Sequence, residues 1–349
     1  MIQTMDEMEI RLSGIPNAHL LILGKSGMGK TYFQCQQIKE GMKMALKTLI
    51  VDFSGSFTRK ELEKFGFKGM EQAEYIDVAN STIHIPFLEG EKKWDIERIA
   101  KALAEVFNVK GYLQKSLIKQ LVEYLWDSER IQMVDMFNYL EMMHSEAMDM
   151  DSEKARRIEE IMDKFQCLKD CCSLVLERYT PKSVSDKIVT ILQLSEIPIE
   201  PRMKFAELIL EIVWDLVQRE GVYQRIVLDE IQHLDCGRSK ALSAMMREGR
   251  KYDLGLMIST QFIDTKDKAK TETLLQAANI LFFKPTLGAT RPTARLIDTE
   301  HVEEWREILE HLKVGECVLK GTYYIGKKNK ECQKSIVCKI IKSYIDLKT

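Results

Sequence analysis

The stretch LLILGKSGMGKTYF, residues 20–33, decides the fold. Its four leading apolar residues predict a short buried strand, and a helix is predicted from the end of the glycine-broken loop to about Met44. The loop matches the pattern G-x-x-x-x-G-K-[ST] in the strand–loop–helix context that this pattern requires. Glycines there let backbone N–H groups converge on phosphates at a helix N-terminus. The expected nucleotide-binding residues are Gly24, Lys25, Ser26, Gly27, Met28, Gly29, Lys30 and Thr31.

A second apolar strand ends in two carboxylates that suit the other half of such a site. RIVLDE, residues 225–230, ends in Asp229 and Glu230. Lys30 would supply a positive charge to the β- and γ-phosphates, while Thr31 and Asp229 would hold Mg²⁺. The neighbouring Glu230 would polarise the attacking water, which favours hydrolysis over simple switching. The sequence therefore predicts ATP and Mg²⁺ as cofactors.

The next predicted strand adds a possible γ-phosphate sensor. Gln261 ends LGLMISTQ, residues 254–261, and a glutamine amide can hydrogen-bond the γ-phosphate or the lytic water. Arg247 and Arg250 precede the same strand, at the edge far from their own loop. In a ring of subunits we expect them to reach a neighbour's nucleotide, and a surface salt bridge is the alternative for either one.

The rest of the chain alternates between strands and helices, which predicts an α/β fold with a mostly parallel central sheet. Residues 92–183 break this pattern with helical periodicity throughout. We therefore divide the chain into an ATPase core, 1–91 with 184–349, and an all-helical insertion, 92–183. The C-terminal tail reads as a small β-meander. Further strands are predicted at 48–53, 81–87, 187–195 and 278–284.

Composition limits the classes of protein to consider. Of the 349 residues, 45 % are hydrophobic and 30 % are charged, enough apolar surface for a sizeable core. The net charge of −2 argues against binding nucleic acid through bulk charge. No apolar run reaches the roughly 18 residues of a membrane span, and the N-terminus does not read as a secretory signal. With eight scattered cysteines, the chain is expected to be cytoplasmic and to have no membrane segment.

Taken together, the motifs resemble those of the FtsK–HerA superfamily of ring ATPases, and HerA-like members in particular. The resemblance spans about residues 15–320. Besides the loop and the acidic pair, it includes a turn after the second strand, a proline-bearing extended segment, a Gly-Arg-Lys before a strand that ends in Thr-Gln, and a late L-x-x-G-E. The residues concerned are Asp52 and Gly55, Pro86, Gly249 to Lys251, Thr260 with Gln261, and Leu312 to Glu316.

The resemblance implies a RecA-like fold of the ASCE class and a homo-hexamer with ATP between subunits. It also implies translocation on double-stranded DNA through a central pore, together with a nuclease or other effector in repair, DNA processing or anti-phage defence. HerA proteins dock a nuclease through an N-terminal β-barrel, and we expect none here because few residues precede the first predicted strand. Two alternatives stay open: a conjugation or type IV secretion ATPase that moves single-stranded DNA or protein, and an ATP-gated assembly scaffold.

Overall fold

The structure is a computed structural model that describes residues 2–6, 8–12, 18–65, 67, 73–81, 83–88, 92–126, 130–169, 174–178, 187–234, 240–264, 266–326 and 330–341. Along the chain the strands are β1 (Ile2–Thr4), β2 (Glu9–Arg11), β3 (Leu20–Leu23), β4 (Thr48–Asp52), β5 (Ala73–Asp77), β6 (Ile83–Leu88), β7 (Arg130–Gln132), β8 (Leu174–Arg178), β9 (Val189–Gln193), β10 (Arg225–Leu228), β11 (Gly255–Thr260), β12 (Asn279–Phe283), β13 (Glu316–Gly321), β14 (Tyr323–Ile325), β15 (Lys330–Cys332) and β16 (Ile336–Ile340).

The helices are α1 (Lys30–Lys43), α2 (Arg59–Lys64), α3 (Lys92–Val106), α4 (Tyr112–Trp126), α5 (Met133–Met148), α6 (Ser152–Lys169), α7 (Ile199–Glu220), α8 (Ala241–Glu248), α9 (Lys268–Leu274), α10 (Thr290–Ile297) and α11 (Val302–His311). Short 3-10 turns follow β10, α8 and β12, at Ile231–His233, Gly249–Tyr252 and Leu287–Ala289. Among the described residues, no helix has both the length and the apolar character that a bilayer crossing requires.

A mostly parallel sheet forms the centre of the molecule, as the sequence predicts. Its parallel part runs in the order β12-β3-β11-β10-β4-β9-β5. Strands that are covered on both faces need no polar alternation, which explains the continuous apolar runs. Alternate residues serve the two faces: Leu21 packs in the core on the α7 and α8 side, whereas Ile22 packs with Phe33 and Ile38 of α1.

Antiparallel strands extend the sheet beyond β12. They confirm the prediction that the C-terminal tail forms antiparallel strands. The order continues from β12 through β13, β16, β1, β2 and β14 to β15. The sequence analysis missed β1 and β2, which lie before its first predicted strand. They are three residues each, too short to show a period, and they depend on pairing with distant C-terminal strands.

The insertion is not all-helical, which corrects the sequence prediction. It contains α3 to α6, but β7 and β8 also lie within it and join β6 in a separate three-stranded sheet. The extended segment predicted at 81–87 is thus a strand, but one outside the central sheet, where the unpredicted β5 takes the edge. The side chain of Pro86 and the boundary at residue 183 lie outside the described residues. The division into core and insertion stays a proposal.

Two lysines hold the C-terminal end of α3. The C-terminal end of α3 leaves carbonyl oxygens without partners in its own helix. Lys204 of α7 donates to the carbonyl oxygen of Val106 at 3.0 Å, and Lys240, which precedes α8, donates to that of Glu105. Lys204 also lies 3.0 Å from the buried carboxylate of Glu207. The first helix of the insertion is therefore tied to the two core helices that flank β10.

A buried histidine links the start of β3 to β11. His19 is 2 % exposed, and its Nδ1 accepts the backbone N–H of Leu256 at 3.0 Å, so this nitrogen carries no proton. Burial lowers the pKa of His19 from 6.5 to about 4, against opposing hydrogen bonds to the backbone of Met245 and Met246. Because the folded-state pKa lies below the unfolded value, the neutral ring stabilises the fold above pH 6.5, and this contribution is lost as the pH falls toward 4.

We expect acidification from pH 6.5 to 4 to cost the wild-type protein roughly 3 kcal/mol more than it costs a His19→Gln variant, since one pKa unit corresponds to about 1.4 kcal/mol. Urea denaturation of both proteins at several pH values measures the difference. The two proteins share every other titrating group, so the difference between their stability curves reports the titration of His19. Parallel stability curves across this range would contradict the role of His19.

Candidate functional site

The loop between β3 and α1 is tightly anchored to the neighbouring strands. The backbone N–H of Gly24 donates to Thr260 at the end of β11 (3.3 Å), and that of Lys25 donates to Lys284 just after β12 (3.0 Å). On the other side, Met28 accepts the N–H of Gly315 at 3.0 Å. Gly315 belongs to the late L-x-x-G-E motif. The loop is thus preformed by three separate segments of the chain.

Lys30 sits inside this loop, at the first position of α1. It is 6 % exposed, and its Nζ donates to the carbonyl oxygens of Gly24 (2.7 Å) and Lys25 (3.1 Å). Burial lowers the pKa of Lys30, and the nearby charges of Glu230 and Asp229 oppose that shift. The ammonium is therefore a buried positive charge whose balance comes from the acidic pair.

Asp229 lies directly after β10 and is held by two hydroxyl groups. It is 2 % exposed, Ser54 Oγ donates to its Oδ2 at 2.6 Å, and Ser259 Oγ donates to its Oδ1. Ser54 comes from the turn after β4, whereas Ser259 comes from β11. Three neighbouring strand ends therefore fix the orientation of this carboxylate, and the sequence analysis assigned no role to either serine.

The turn that supplies Ser54 is organised by a buried aspartate. The carboxylate of Asp52 accepts the backbone N–H groups of Gly55 (2.9 Å), Ser56 (3.1 Å) and Phe57 (2.9 Å). Burial raises the pKa of Asp52 to about 6, while these hydrogen bonds act in the opposite direction. The aspartate–small–glycine motif thus builds the turn that orients Asp229, a contact that spans 175 residues of sequence.

Glu230 has an unusual backbone and a firmly held side chain. Its φ of 54° and ψ of 48° lie in the left-handed region, which costs a non-glycine residue roughly 1–2 kcal/mol. Its Oε2 accepts the amide of Gln261 at 3.1 Å and the amide of Gln232. Gln232 is held in turn by Thr260, whose Oγ1 donates to the amide oxygen at 3.0 Å.

Gln232 lines the cavity and contacts Glu230, and the sequence analysis did not single it out. It lies three residues after Asp229 and one turn away from the strand, in a position where many side chains would serve. A possible signal was its spacing from Glu230 in DEIQ, but only the contact with Thr260 on the neighbouring strand gives that spacing a meaning. Two amides from different segments therefore orient the carboxylate expected to act as the base.

A cavity of about 590 Å³ lies between the loop and Glu230. Its size and its lining of glycine backbone, ammonium, hydroxyl and carboxylate groups fit a nucleoside triphosphate. The hydroxyl of Thr31 in this lining suits Mg²⁺, whereas Asp229 is 2 % exposed and is not itself part of the lining. The lining residues are Ser26, Gly27, Gly29, Lys30, Thr31, Tyr32, Phe53, Ser54, Ser56, Phe65, Ile199, Arg202, Glu230, Gln232 and Gln261.

Arg202 is a second residue of the cavity that the sequence analysis did not single out. Its guanidinium donates to the carbonyl oxygens of Phe53 (2.7 Å), Ser195 (2.5 Å) and Ile197 (2.6 and 2.9 Å). It thereby joins the segments that follow β4 and β9 to the first turn of α7. Its guanidinium therefore binds backbone carbonyl oxygens in the wall of the cavity.

The two arginines lie near the amino end of β11, whereas the loop lies near its carboxyl end. Arg247 lies in the last turn of α8 and donates to Ser243 at 2.7 Å, and Arg250 lies in the following 3-10 turn. Both are exposed and precede β11, whose six residues span about 20 Å between them and the cavity. The structure therefore brings together the loop, the acidic pair and Gln261, and it leaves both arginines outside that group.

The model of the family "Helicase HerA, central domain" matches residues 2–213, which is more than half of the chain. The chain belongs to the HerA family. No curated protein sequence gives a match. The matched residues include the loop between β3 and α1.

Solved structures agree with this fold. VirB4 of Thermoanaerobacter pseudethanolicus is similar with a TM-score of 0.69 and 12 % identity, over 100 % of this chain and 98 % of that one. The plasmid coupling protein TrwB, in complex with a GTP analogue, is similar with a TM-score of 0.66 and 13 % identity, over 92 % and 85 %. A TrwB structure with ADP and Mg²⁺ gives 0.66 and 12 %, over 92 % and 84 %. These likenesses confirm the RecA-like P-loop fold.

Gly24 is the position where the phosphate loop packs closely against Phe283. Its φ is +144°, and a Cβ added there would lie 2.6 Å from the Cβ of Phe283 and 3.0 Å from that residue's backbone carbon. Gly27 has a φ of +78° but nothing within 4 Å of its added Cβ. Both glycines have a positive φ, but only Gly24 is closely packed.

We expect Gly24→Ala to lower the free energy of unfolding by roughly 2–4 kcal/mol, because it adds a backbone clash to conformational strain. Gly27→Ala, the matched control, should cost only about 1 kcal/mol from strain. Chemical denaturation of both variants measures these losses. Equal losses would mean that the packing against Phe283 does not constrain the loop.

Proposed function

We propose that this chain is the subunit of a homo-hexameric motor that hydrolyses ATP with Mg²⁺ and translocates on double-stranded DNA through a central pore. The observation that carries the proposal is the cavity where Lys30 and Thr31 face a carboxylate, Glu230, that is oriented by two amides. An oriented base beside a preformed phosphate loop serves hydrolysis rather than retention of a nucleotide. Membership of the HerA family supports DNA as the track.

In this mechanism the loop N–H groups and Lys30 bind the phosphates, and Glu230 accepts the proton of the attacking water. Mg²⁺ would neutralise charge on the phosphate oxygens, and Thr31 and Asp229 are the residues that would hold it. Ser54 and Ser259 keep Asp229 oriented for this task. Gln261 contacts Glu230 and lines the cavity, so it can report the state of the γ-phosphate to β11.

The motor would act in the cytoplasm with a nuclease or another effector, in repair, DNA processing or anti-phage defence. A net charge of −2 suits a protein whose DNA contacts are confined to a pore. A second candidate is a conjugation or type IV secretion-type ATPase that moves single-stranded DNA or protein. The likeness of fold to the plasmid coupling protein TrwB favours that alternative.

We expect ATP turnover to rise with duplex DNA on particles that mass photometry sizes as hexamers in the same buffer. Glu230→Gln is the matched control, because a glutamine oxygen can still accept from both amides while the base is lost. This variant should keep nucleotide binding and ring formation and lose at least roughly 100-fold in turnover. Stimulation by single-stranded DNA alone would favour the second candidate. Rings indifferent to any DNA would contradict the proposal.

Arg250, with Arg247 beside it, is proposed to complete the site of a neighbouring subunit. Both are exposed, and both lie about a strand length from their own loop. An arginine supplied in trans can stabilise the charge of the transition state, with an effect of about 10³–10⁵ on rate in well-studied phosphoryl transfers. A ring would bring this edge of one copy to the cavity of the next.

Arg250→Ala should therefore be inactive alone, and so should Lys30→Ala. Mixed in one ring, the two variants should regain part of the wild-type turnover, because an interface with an intact Lys30 on one side and an intact Arg250 on the other can form. The measurement is the ATPase rate across mixing ratios, with Lys251→Ala in place of Arg250→Ala as the control for a neighbouring exposed cation. No recovery at any ratio would contradict the role in trans.

A further inference from the structure

A lysine from α9 reaches back to the turn that carries Glu230. The ammonium of Lys270 donates to the carbonyl oxygens of Ile231 (3.3 Å), Gln232 (2.9 Å) and Leu234 (3.0 Å). An ammonium has three N–H donors, so three carbonyl acceptors match its capacity. We call this set of hydrogen bonds the Lys270 clamp.

The turn held by the clamp is the one that sets the direction of the base. Ile231–His233 forms the 3-10 turn that starts at Glu230, the residue with the left-handed backbone. A residue in a sparsely populated conformation keeps it only where its surroundings over-determine it. Leu234 N–H donates to Ile231 within the turn at 3.0 Å, and the clamp adds three charge-assisted bonds to the same backbone.

Lys270 is itself held in place by the start of its helix. The side chain of Asp267 caps α9 by accepting the backbone N–H of Lys270 at 3.0 Å. The hydroxyl of Thr271 donates to the carbonyl oxygen of Asp264 at 3.2 Å, which closes the preceding loop. The start of α9, which carries Lys270, is therefore held by local hydrogen bonds.

The chain that follows β11 contacts Glu230 directly through Gln261 and contacts the turn after Glu230 through Lys270. Gln261, at its beginning, donates to the Glu230 carboxylate at 3.1 Å, and Lys270, nine residues later, holds the backbone of the turn. We propose that Lys270 is a positioning residue for Glu230, through which the segment 261–274 controls the rate of hydrolysis. This inference rests on the proposed ATPase function and assigns that segment a regulatory role at its site.

The clamp acts on the base and makes no contact with the phosphate loop among the hydrogen bonds that fix the described residues. The hydrogen bonds of Lys30 and Asp229 do not involve Lys270, so they are kept when it is removed. Loss of the ammonium should therefore lower kcat and leave the KM for ATP nearly unchanged. A lysine with only a structural role would instead change stability and both constants together.

The test compares Lys270→Met with Lys268→Met, the same substitution at an exposed position of the same helix. We expect Lys270→Met to lower kcat at least tenfold, with a KM for ATP within twofold of wild type, and Lys268→Met to keep the DNA-free rate. Lys270→Gln, which keeps a polar side chain, serves if the methionine variant does not fold. An unchanged kcat, or a KM that rises as kcat falls, would overturn the proposal.

Hydrogen exchange gives a second readout that needs no turnover. In Lys270→Met the backbone amides of 230–234 should exchange faster than in wild type, whereas those of 20–33 should not change. Equal exchange at 230–234 would overturn the clamp itself. If the wild-type chain hydrolyses no ATP with or without duplex DNA, the proposed function fails, and the exchange experiment still decides whether Lys270 holds the turn.

Discussion

The parallel register of β3, β11, β10 and β4 is the constraint on which the site depends. Leu228 pairs with Val51 on one side and with Ile258 on the other, so Asp229, the first residue after β10, lies level with Asp52 and Ser259. Thr260 pairs with Leu23, which brings Gln261 level with the start of the phosphate loop. A slip of one residue in any pair would turn these side chains to the opposite face of the sheet.

Charge balance at this edge of the sheet follows from that register. Lys30 is buried and would be costly as an isolated cation, but the acidic pair at the end of β10 lies close enough to support its charge. The acids are oriented by neutral groups, serines at Asp229 and glutamines at Glu230. Neutral donors leave the negative charge of the carboxylates intact, so these can serve a metal ion and an attacking water.

Long-range hydrogen bonds join other parts of the chain to the phosphate loop, to the helices beside β10 and to the turn of Glu230. Gly315, before β13, joins the phosphate loop to the antiparallel half of the sheet. Lys204 and Lys240 join the insertion to the helices on either side of β10, and Lys270 joins α9 to the turn of Glu230.

The sequence by itself determined the fold class, the phosphate loop, the acidic pair and Gln261. A short continuous segment indicates each of these features. An apolar run indicates a covered strand, glycines indicate where the loop must curl, and polar residues indicate where a strand ends. Helical periodicity likewise predicted the helices of the insertion. Local patterns suffice for such features because they depend on neighbours along the chain.

Only the tertiary structure decided the rest. β1, β2, β7 and β8 are three to five residues long, and they exist because distant strands supply their hydrogen bonds. The contacts of Gln232, Arg202 and Lys270 are with segments far away in sequence. Such contacts depend on register and packing, which no local window contains.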